Sequence, residues 1–326
     1  MPKPKVFVTR KINPSAIEKL QSIADAEIWP NENPPPKEIL LEKFAATQAV
    51  LTMLTDSVDH EVINRAPSNF KIISQMAVGT DNIDVTSATK RKIPIGHTPD
   101  VLTESCADFT WALITAIARR VSESHQEVRQ GIWLPWGPDV LLGADLFGAT
   151  LGIIGLGRIG LAVARRALGF NMKVLYFSKT RKPDLETKYN LQYRSMEELL
   201  SISDFVSLHV NLNQSTHHLI NTDTIKFMKK SAYLINIARG KIIDPKALTQ
   251  AIHNKQIAGA ALDVFDPEPI QQNHPLLSCP NVIITPHIAS ASIPVRKKMA
   301  EMAVENILFA LQNNPIPYCV NPIVYQ

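Results

Sequence analysis

Leu151-Gly152-Ile153-Ile154-Gly155-Leu156-Gly157-Arg158-Ile159-Gly160 sets a short apolar run directly against a G-x-G-x-x-G spacing. The three glycines serve different ends. Gly155 allows a tight turn, Gly157 allows backbone approach to a pyrophosphate at a helix N-terminus, and Gly160 allows close packing of that helix on the strand. A lone fingerprint of this kind is weak. The strand-like run before it and the helical pattern after it favour a dinucleotide-binding turn over a glycine-rich loop without a ligand. Seven of the 13 glycines fall between residues 143 and 169, so close backbone approach is concentrated in this one region.

Downstream of this turn, short β-branched runs alternate with helical patterns. Candidate strands are 151–154, 173–177, 205–209, 232–236, 259–263 and 282–285, and candidate helices 158–168, 196–202, 222–228 and 245–254. Six strands with crossovers suit a dinucleotide-binding domain. Upstream, the same alternation gives strands at 6–9, 26–29, 49–54, 71–75 and 94–95, with helices at 14–24, 36–46, 59–66 and 85–91. Asn13-Pro14 is an N-cap followed by proline at the first helical position. A single long helix is expected over 102–129, as a connector between two domains, and the pattern 293–311 is expected to fold back on the first domain. The fold class is therefore α/β, with parallel sheets covered on both faces.

The 326 residues, 45% hydrophobic and 20% charged, have room for two ordinary domains and exclude disorder or a collagenous repeat. Lys and Arg exceed Asp and Glu by 34 − 30 = 4, and the charges are scattered, so the chain carries no electrostatic footprint for nucleic acid. No run approaches the length of a membrane span, and Val6-Phe7-Val8 is too short for a signal-peptide core, which predicts a cytoplasmic protein with no membrane partner. Cys106, Cys279 and Cys319 are few and far apart; they fit a reducing compartment and offer no metal-ligand spacing.

About 20 residues beyond the glycine turn, a carboxylate at the next strand's tip ordinarily binds the ribose 2′-OH of NAD. Here Val174-Leu175-Tyr176-Phe177 leads instead into Ser178-Lys179-Thr180-Arg181-Lys182. Hydroxyls and cations in that place predict a preference for NADP(H), with NAD(H) as the second cofactor. In open α/β sheets the ligand crevice lies outside the carboxyl ends of the strands. Three polar residues stand there. Arg239, in Asn236-Ile237-Ala238-Arg239-Gly240, can grip a carboxylate bidentately and polarise a carbonyl. His287, stiffened by Pro286, is placed for proton transfer. A carboxylate beside it would hold the ring and favour its charged form; Glu268 and Asp266 both compete for that role, and spacing does not choose between them.

These runs, with Gly259-Ala260-Ala261-Leu262-Asp263, Thr285-Pro286-His287-Ile288-Ala289-Ser290, Val78-Gly79-Thr80-Asp81 and His97-Thr98-Pro99-Asp100, resemble the D-isomer-specific 2-hydroxyacid dehydrogenase family over nearly the whole chain. Gly131-Ile132-Trp133-Leu134-Pro135-Trp136 and Asn273-His274-Pro275-Leu276-Leu277 look most like its glyoxylate/hydroxypyruvate reductase branch, which is mainly NADPH-dependent. The resemblance implies two doubly wound domains: a flavodoxin-like substrate domain, 1–101 plus 289–326, and an inserted Rossmann domain, 102–288. It implies Arg239 on the 2-oxo acid's carboxylate and carbonyl, His287 as acid/base and Glu268 as its partner. Val78 and Gly79 would offer N–H groups to the carboxylate, and Trp136 would either shape the substrate pocket or pack at the dimer interface. Cofactor contacts would come from Thr103, Gly155, Leu156, Gly157, Arg158, Ile159, Ser178, Lys179, Thr180, Arg181, Thr216, Ile237, Ala238, Arg239, Asp263, His287 and Ser290. Family members are usually homodimers joined through residues 105–145. Where the family commonly has Pro-Leu-Thr, this chain reads Asn211-Leu212-Asn213. Two rival expectations are another NAD-linked member of the family and a non-catalytic nucleotide-sensing protein of the same fold.

Overall fold

In the computed structural model, which describes residues 2–326, the chain divides into two compact units, Met1–Leu102 with Ala291–Gln326, and Thr103–Ser290. The first holds a five-stranded sheet of β1 (Lys5–Val8), β2 (Asp25–Ile28), β3 (Ala49–Thr52), β4 (Ile72–Gln75) and β5 (Ile95–Gly96). All neighbours pair in parallel in the order β2-β1-β3-β4-β5, the flavodoxin-like arrangement. Every residue of β3 and β4 is buried, as strands covered by helices on both faces must be. The helix Pro14–Ile23 starts where the Asn13 side chain accepts from the Ser15 N–H at 3.1 Å. The helix Ile293–Leu311 packs on β3, β4 and Pro14–Ile23, so the chain's last long helix completes its first sheet.

The second unit's sheet comprises β6 (Thr150–Ile154), β7 (Lys173–Phe177), β8 (Leu191–Tyr193), β9 (Phe205–Leu208), β10 (Tyr233–Asn236), β11 (Gly259–Leu262) and β12 (Val282–Ile284). It is parallel throughout, in the order β12-β11-β10-β9-β6-β7-β8. This is the Rossmann order with one strand added beyond the sixth, and its direction reverses between β6 and β9.

Two sequence expectations are corrected here. The sheet has seven strands rather than six, because β8 and the helix Pro183–Tyr189 before it had no visible signal. That helix buries no residue and so carries no apolar stripe, while β8 is a three-residue edge strand with one buried side chain, Leu191. The expected continuous helix over 102–129 is two helices, Thr103–Ala118 and Val121–Arg129. The break is at Arg120, whose φ of 51° leaves the right-handed region and whose guanidinium pairs with Glu123 at 2.6 Å. The first helix packs its apolar side inward. The second has no buried residue, so an unbroken axis would not have served both.

Candidate active site

The carboxyl ends of β6, β7, β9, β10, β11 and β12 bring the second unit's polar residues together. After β6, Gly155 adopts φ +98°, and a Cβ there would meet the His209 carbonyl oxygen at 2.6 Å. A Cβ on Gly160 would lie 2.1 Å from the Gly155 carbonyl oxygen, so the helix Arg158–Ala167 docks on the turn only because the side chain is missing. At Gly157, the residue that caps this helix, a Cβ would meet nothing within 4 Å. Open space in front of a ten-residue helix's N-terminus, at the reversal of strand order, fits the pyrophosphate of a dinucleotide. Leu156 buries its side chain, whereas Gly157 and Arg158 face outward.

Of the five residues after β7, the structure treats the cations unequally. Lys179 and Thr180 are exposed, and the Ser178 hydroxyl donates to the Thr180 carbonyl at 2.6 Å. Arg181 directs Nε and Nη2 at the two oxygens of Glu186, each at 2.8 Å. That bidentate pair, with a donation from the Tyr176 hydroxyl, holds the Glu186 carboxyl down at about 2. The Asn211-Leu212-Asn213 departure has a local use. The Asn213 Oδ1 accepts from the Ser215 N–H and hydroxyl, and its own N–H donates to the Thr216 hydroxyl at 2.8 Å. The Thr216 hydroxyl in turn donates to the Asn211 carbonyl, so its bonds close the loop after β9. Desolvation pushes the neighbouring His209 imidazole down to about 3, keeping it neutral, with Nε2 2.8 Å from the Ser207 hydroxyl.

Arg239 follows β10 in extended backbone. The turn that presents it is built by Asn236, a buried residue whose amide accepts from the Ala238 N–H at 3.0 Å and donates to the Arg239 carbonyl at 2.9 Å. Ile237 is buried between them. Gly240 lets the β11 loop come close: a Cβ there would fall 1.9 Å from the Phe265 carbonyl. Neither Asn236 nor Gly240 was singled out in the sequence as a support for Arg239. A buried amide at a strand end beside the arginine was the available signal.

The β11 and β12 ends carry the histidine and its carboxylate. His287 Nδ1 donates to Glu268 Oε2 at 2.8 Å, and the Phe265 N–H donates to Glu268 Oε1 at 2.9 Å. Asp266 has no such contact with the ring. Burial pushes the Glu268 carboxyl up, but the imidazole bond, the Phe265 N–H and the nearby Arg239 charge outweigh it and hold the group below its ordinary value. His287 itself sits at φ +55°, a strained setting for a residue with a side chain. Its N–H is bonded to the Asp263 carbonyl at 2.9 Å. Asp263, almost fully buried, accepts from the Thr285 hydroxyl and the Ile288 and Ala289 N–H groups at 2.6–2.9 Å. Both carboxylate oxygens are thus spent on the loop that aims the ring. Ser290 ends this unit, and near its other end the hydroxyl of Ser105, two residues beyond Thr103, lies 3.4 Å from the Ala289 carbonyl.

In the first unit, Val78 and Gly79 follow β4. Their carbonyls are tied back, Val78 to His97 Nδ1 at 3.2 Å and Gly79 to the Gln75 amide at 3.3 Å. Their N–H groups have no hydrogen-bond partner among the described residues. Consecutive unpaired amides are anion-binding chemistry. Trp136 is 91% exposed in the second unit, on a segment that also exposes Trp133, Leu134, Leu142 and Phe147.

A nucleotide turn at the reversal of a Rossmann sheet, with an arginine and a hydrogen-bonded histidine–carboxylate pair on the same edge, defines a nicotinamide-dependent oxidoreductase. The chain belongs to the D-isomer specific 2-hydroxyacid dehydrogenase family, whose NAD-binding domain model matches residues 111–289. It is an enzyme of the class acting on CH–OH groups, similar to proteins named glyoxylate reductase. One of these, from Korarchaeum cryptofilum, is 48% identical over 97% of this chain and 95% of its own length. A solved protein from Thermus thermophilus has a TM-score of 0.91 at 43% identity, covering 97% of this chain and 99% of its own. An NADPH-dependent glyoxylate/hydroxypyruvate reductase from Sinorhizobium meliloti, solved with NADP and malonate, has a TM-score of 0.83 at 30% identity over 98% of this chain and 97% of its own. No helix among the described residues is long and apolar enough to cross a membrane.

Proposed function

We propose that the protein reduces glyoxylate and hydroxypyruvate to the corresponding 2-hydroxy acids with NADPH, as a homodimer. The observation that carries the reaction is the 2.8 Å bond from His287 Nδ1 to Glu268, which leaves the other ring nitrogen, Nε2, as the proton donor. The bound cofactor supplies a hydride to the 2-oxo carbon. Gly155, Leu156, Gly157, Arg158 and Ile159 hold its pyrophosphate, and Ser178 to Arg181 its ribose end. Thr103, Thr216, Ile237, Ala238, Asp263 and Ser290 complete its surroundings. His287 Nε2 gives its proton to the carbonyl oxygen as that oxygen gains negative charge, and Glu268 stabilises the ring's charged form. Arg239 binds the oxo acid's carboxylate and polarises its carbonyl.

The absence of an acid after β7, and the NADPH-dependent relative solved with NADP, support NADPH over NADH. The exposed apolar segment around Trp133 and Trp136 supports self-association, since contiguous apolar surface marks an interface. The test is a panel of 2-oxo acids with NADPH and with NADH, read by loss of nicotinamide absorbance, on protein sized by sedimentation. Turnover of glyoxylate and hydroxypyruvate faster with NADPH is expected. A preference for NADH, or for a bulkier oxo acid, refutes the corresponding part of the reading.

A further inference from the structure

The loop after β7 contains a cation to which the family resemblance gives no role. Lys182 extends its ammonium to the Leu156 carbonyl oxygen at 2.8 Å, inside the glycine turn itself. Its backbone is fixed as well, because the Lys182 N–H donates to the Tyr176 hydroxyl at 2.8 Å and that hydroxyl donates to Glu186 at 2.6 Å. Tyr176 is fully buried, so this anchor is part of the core. A second tie, from the Gly155 N–H to the Phe177 carbonyl at 2.8 Å, joins the same two segments. The crevice between the ends of the paired strands β6 and β7 is therefore bridged by Lys182.

Arg181, one position earlier, is differently placed. Both arms of its fork toward Glu186 are used, its guanidinium carbon lies 5.7 Å from the Tyr193 ring centroid, and Glu186 offsets its charge. Glu186 stays ionised through the neutral range, so the offset is permanent there. Lys182 has no carboxylate on it; its ammonium meets a neutral carbonyl, which leaves two of its three N–H donors for an incoming group.

We propose that Lys182 is a specificity-determining residue of the cofactor site, its ammonium meeting the 2′-phosphate from the Leu156 carbonyl while Arg181 is held by Glu186 as a brace of the loop. This rests on the NADPH reading above. It selects one cation of the loop for the phosphate and demotes another. A cation seated on the phosphate-binding turn discriminates by charge, because a 2′-phosphate gains a charge-assisted hydrogen bond that a 2′-hydroxyl does not.

Equilibrium titration of the full-length protein with NADPH, NADH, 2′,5′-ADP and 5′-AMP, in the parent and in Lys182→Met, Lys182→Arg and Arg181→Met, tests it. Lys182→Met is expected to weaken NADPH and 2′,5′-ADP roughly 10- to 100-fold while changing NADH and 5′-AMP less than about threefold. Lys182→Arg should recover most of the loss. Equal weakening of all four ligands in Lys182→Met would show a brace of the turn and overturn the proposal. So would a loss confined to Arg181→Met. If Lys182→Met melts early, Lys182→Gln takes its place under the same criteria. A parent that binds NADH more tightly refutes the NADPH reading on its own. The ratio of 2′,5′-ADP to 5′-AMP binding still decides in that case whether Lys182 meets a 2′-phosphate.

Discussion

Replacing Glu268 by Gln removes one charge and one of the two acceptor oxygens. The amide keeps the length of the side chain and an oxygen to accept from the Phe265 N–H, which sits 2.9 Å from Oε1. What disappears is the negative charge 2.8 Å from His287 Nδ1, and with it the oxygen that accepts from the ring. Unit charges about 4 Å apart interact by about 1 kcal/mol in water and about 4 kcal/mol at an effective dielectric constant near 20. The Glu268 and His287 side chains are 29% and 25% accessible, so the lower part of that range applies, about 1–2 kcal/mol. At about 1.36 kcal/mol per tenfold change in proton binding, this is about one pH unit. The sign follows from the proton's direction. In the proposed mechanism reduction needs the imidazole's proton, and a carboxylate beside the ring favours keeping it. Glu268 is held below its ordinary value, so it is ionised throughout the neutral and mildly acid range in which it must act. In Glu268→Gln the alkaline limb of kcat/KM for 2-oxo acid reduction should therefore move about one pH unit toward acid, with the acid plateau largely kept. The assay is the pH profile of both proteins at saturating cofactor. An alkaline limb that stays in place would show that the pair does not set the protonation of the donor.

His287→Ala should lower kcat by about 10²–10⁴-fold with cofactor affinity retained by fluorescence titration, whereas Arg239→Ala should also raise KM, since the proposed mechanism uses the arginine in both binding and polarisation. Asp263→Ala leaves the Thr285 hydroxyl and the Ile288 and Ala289 N–H groups without their acceptor. It should cost more than about 2 kcal/mol in urea denaturation, and a stability equal to the parent's would show that these bonds are replaceable. Trp136→Ala should change the ratio of glyoxylate to hydroxypyruvate turnover with the proposed dimer intact by sedimentation; dissociation at an unchanged ratio would make the tryptophan an interface residue only.

Periodicity located eleven of the twelve strands because buried parallel strands are continuous apolar runs, such as Ala49–Thr52 and Phe205–Leu208. It was blind to β8, where one buried apolar residue is too little to make a pattern, and to the turn at Arg120, where nothing but a left-handed backbone ends the helix. At the site, residue types at strand ends drew attention to Arg239, Glu268, Asp266 and His287. The choice between the two carboxylates needed coordinates, because a spacing of 19 or 21 residues across two strands does not fix a 2.8 Å contact. The supporting residues were illegible for the opposite reason. Asn236 and Gly240 act through backbone atoms whose positions are set by the fold alone. Arg181 and Lys182 look interchangeable as letters, and only Glu186 and the Leu156 carbonyl separate them.

The division of the chain also orders its synthesis. Residues 1–102 leave the ribosome first, yet the unit they form lacks the helix Ile293–Leu311 until nearly two hundred further residues have been made. Ser74 must wait for the Ala303 carbonyl, Lys71 for Asn313, and Ile93 and Ile95 for Asn321. The intervening segment, by contrast, has its own sheet and core. Nascent chains should therefore acquire protease resistance in the middle before they acquire it at the beginning, with β3 and β4 the apolar strands that stay uncovered longest.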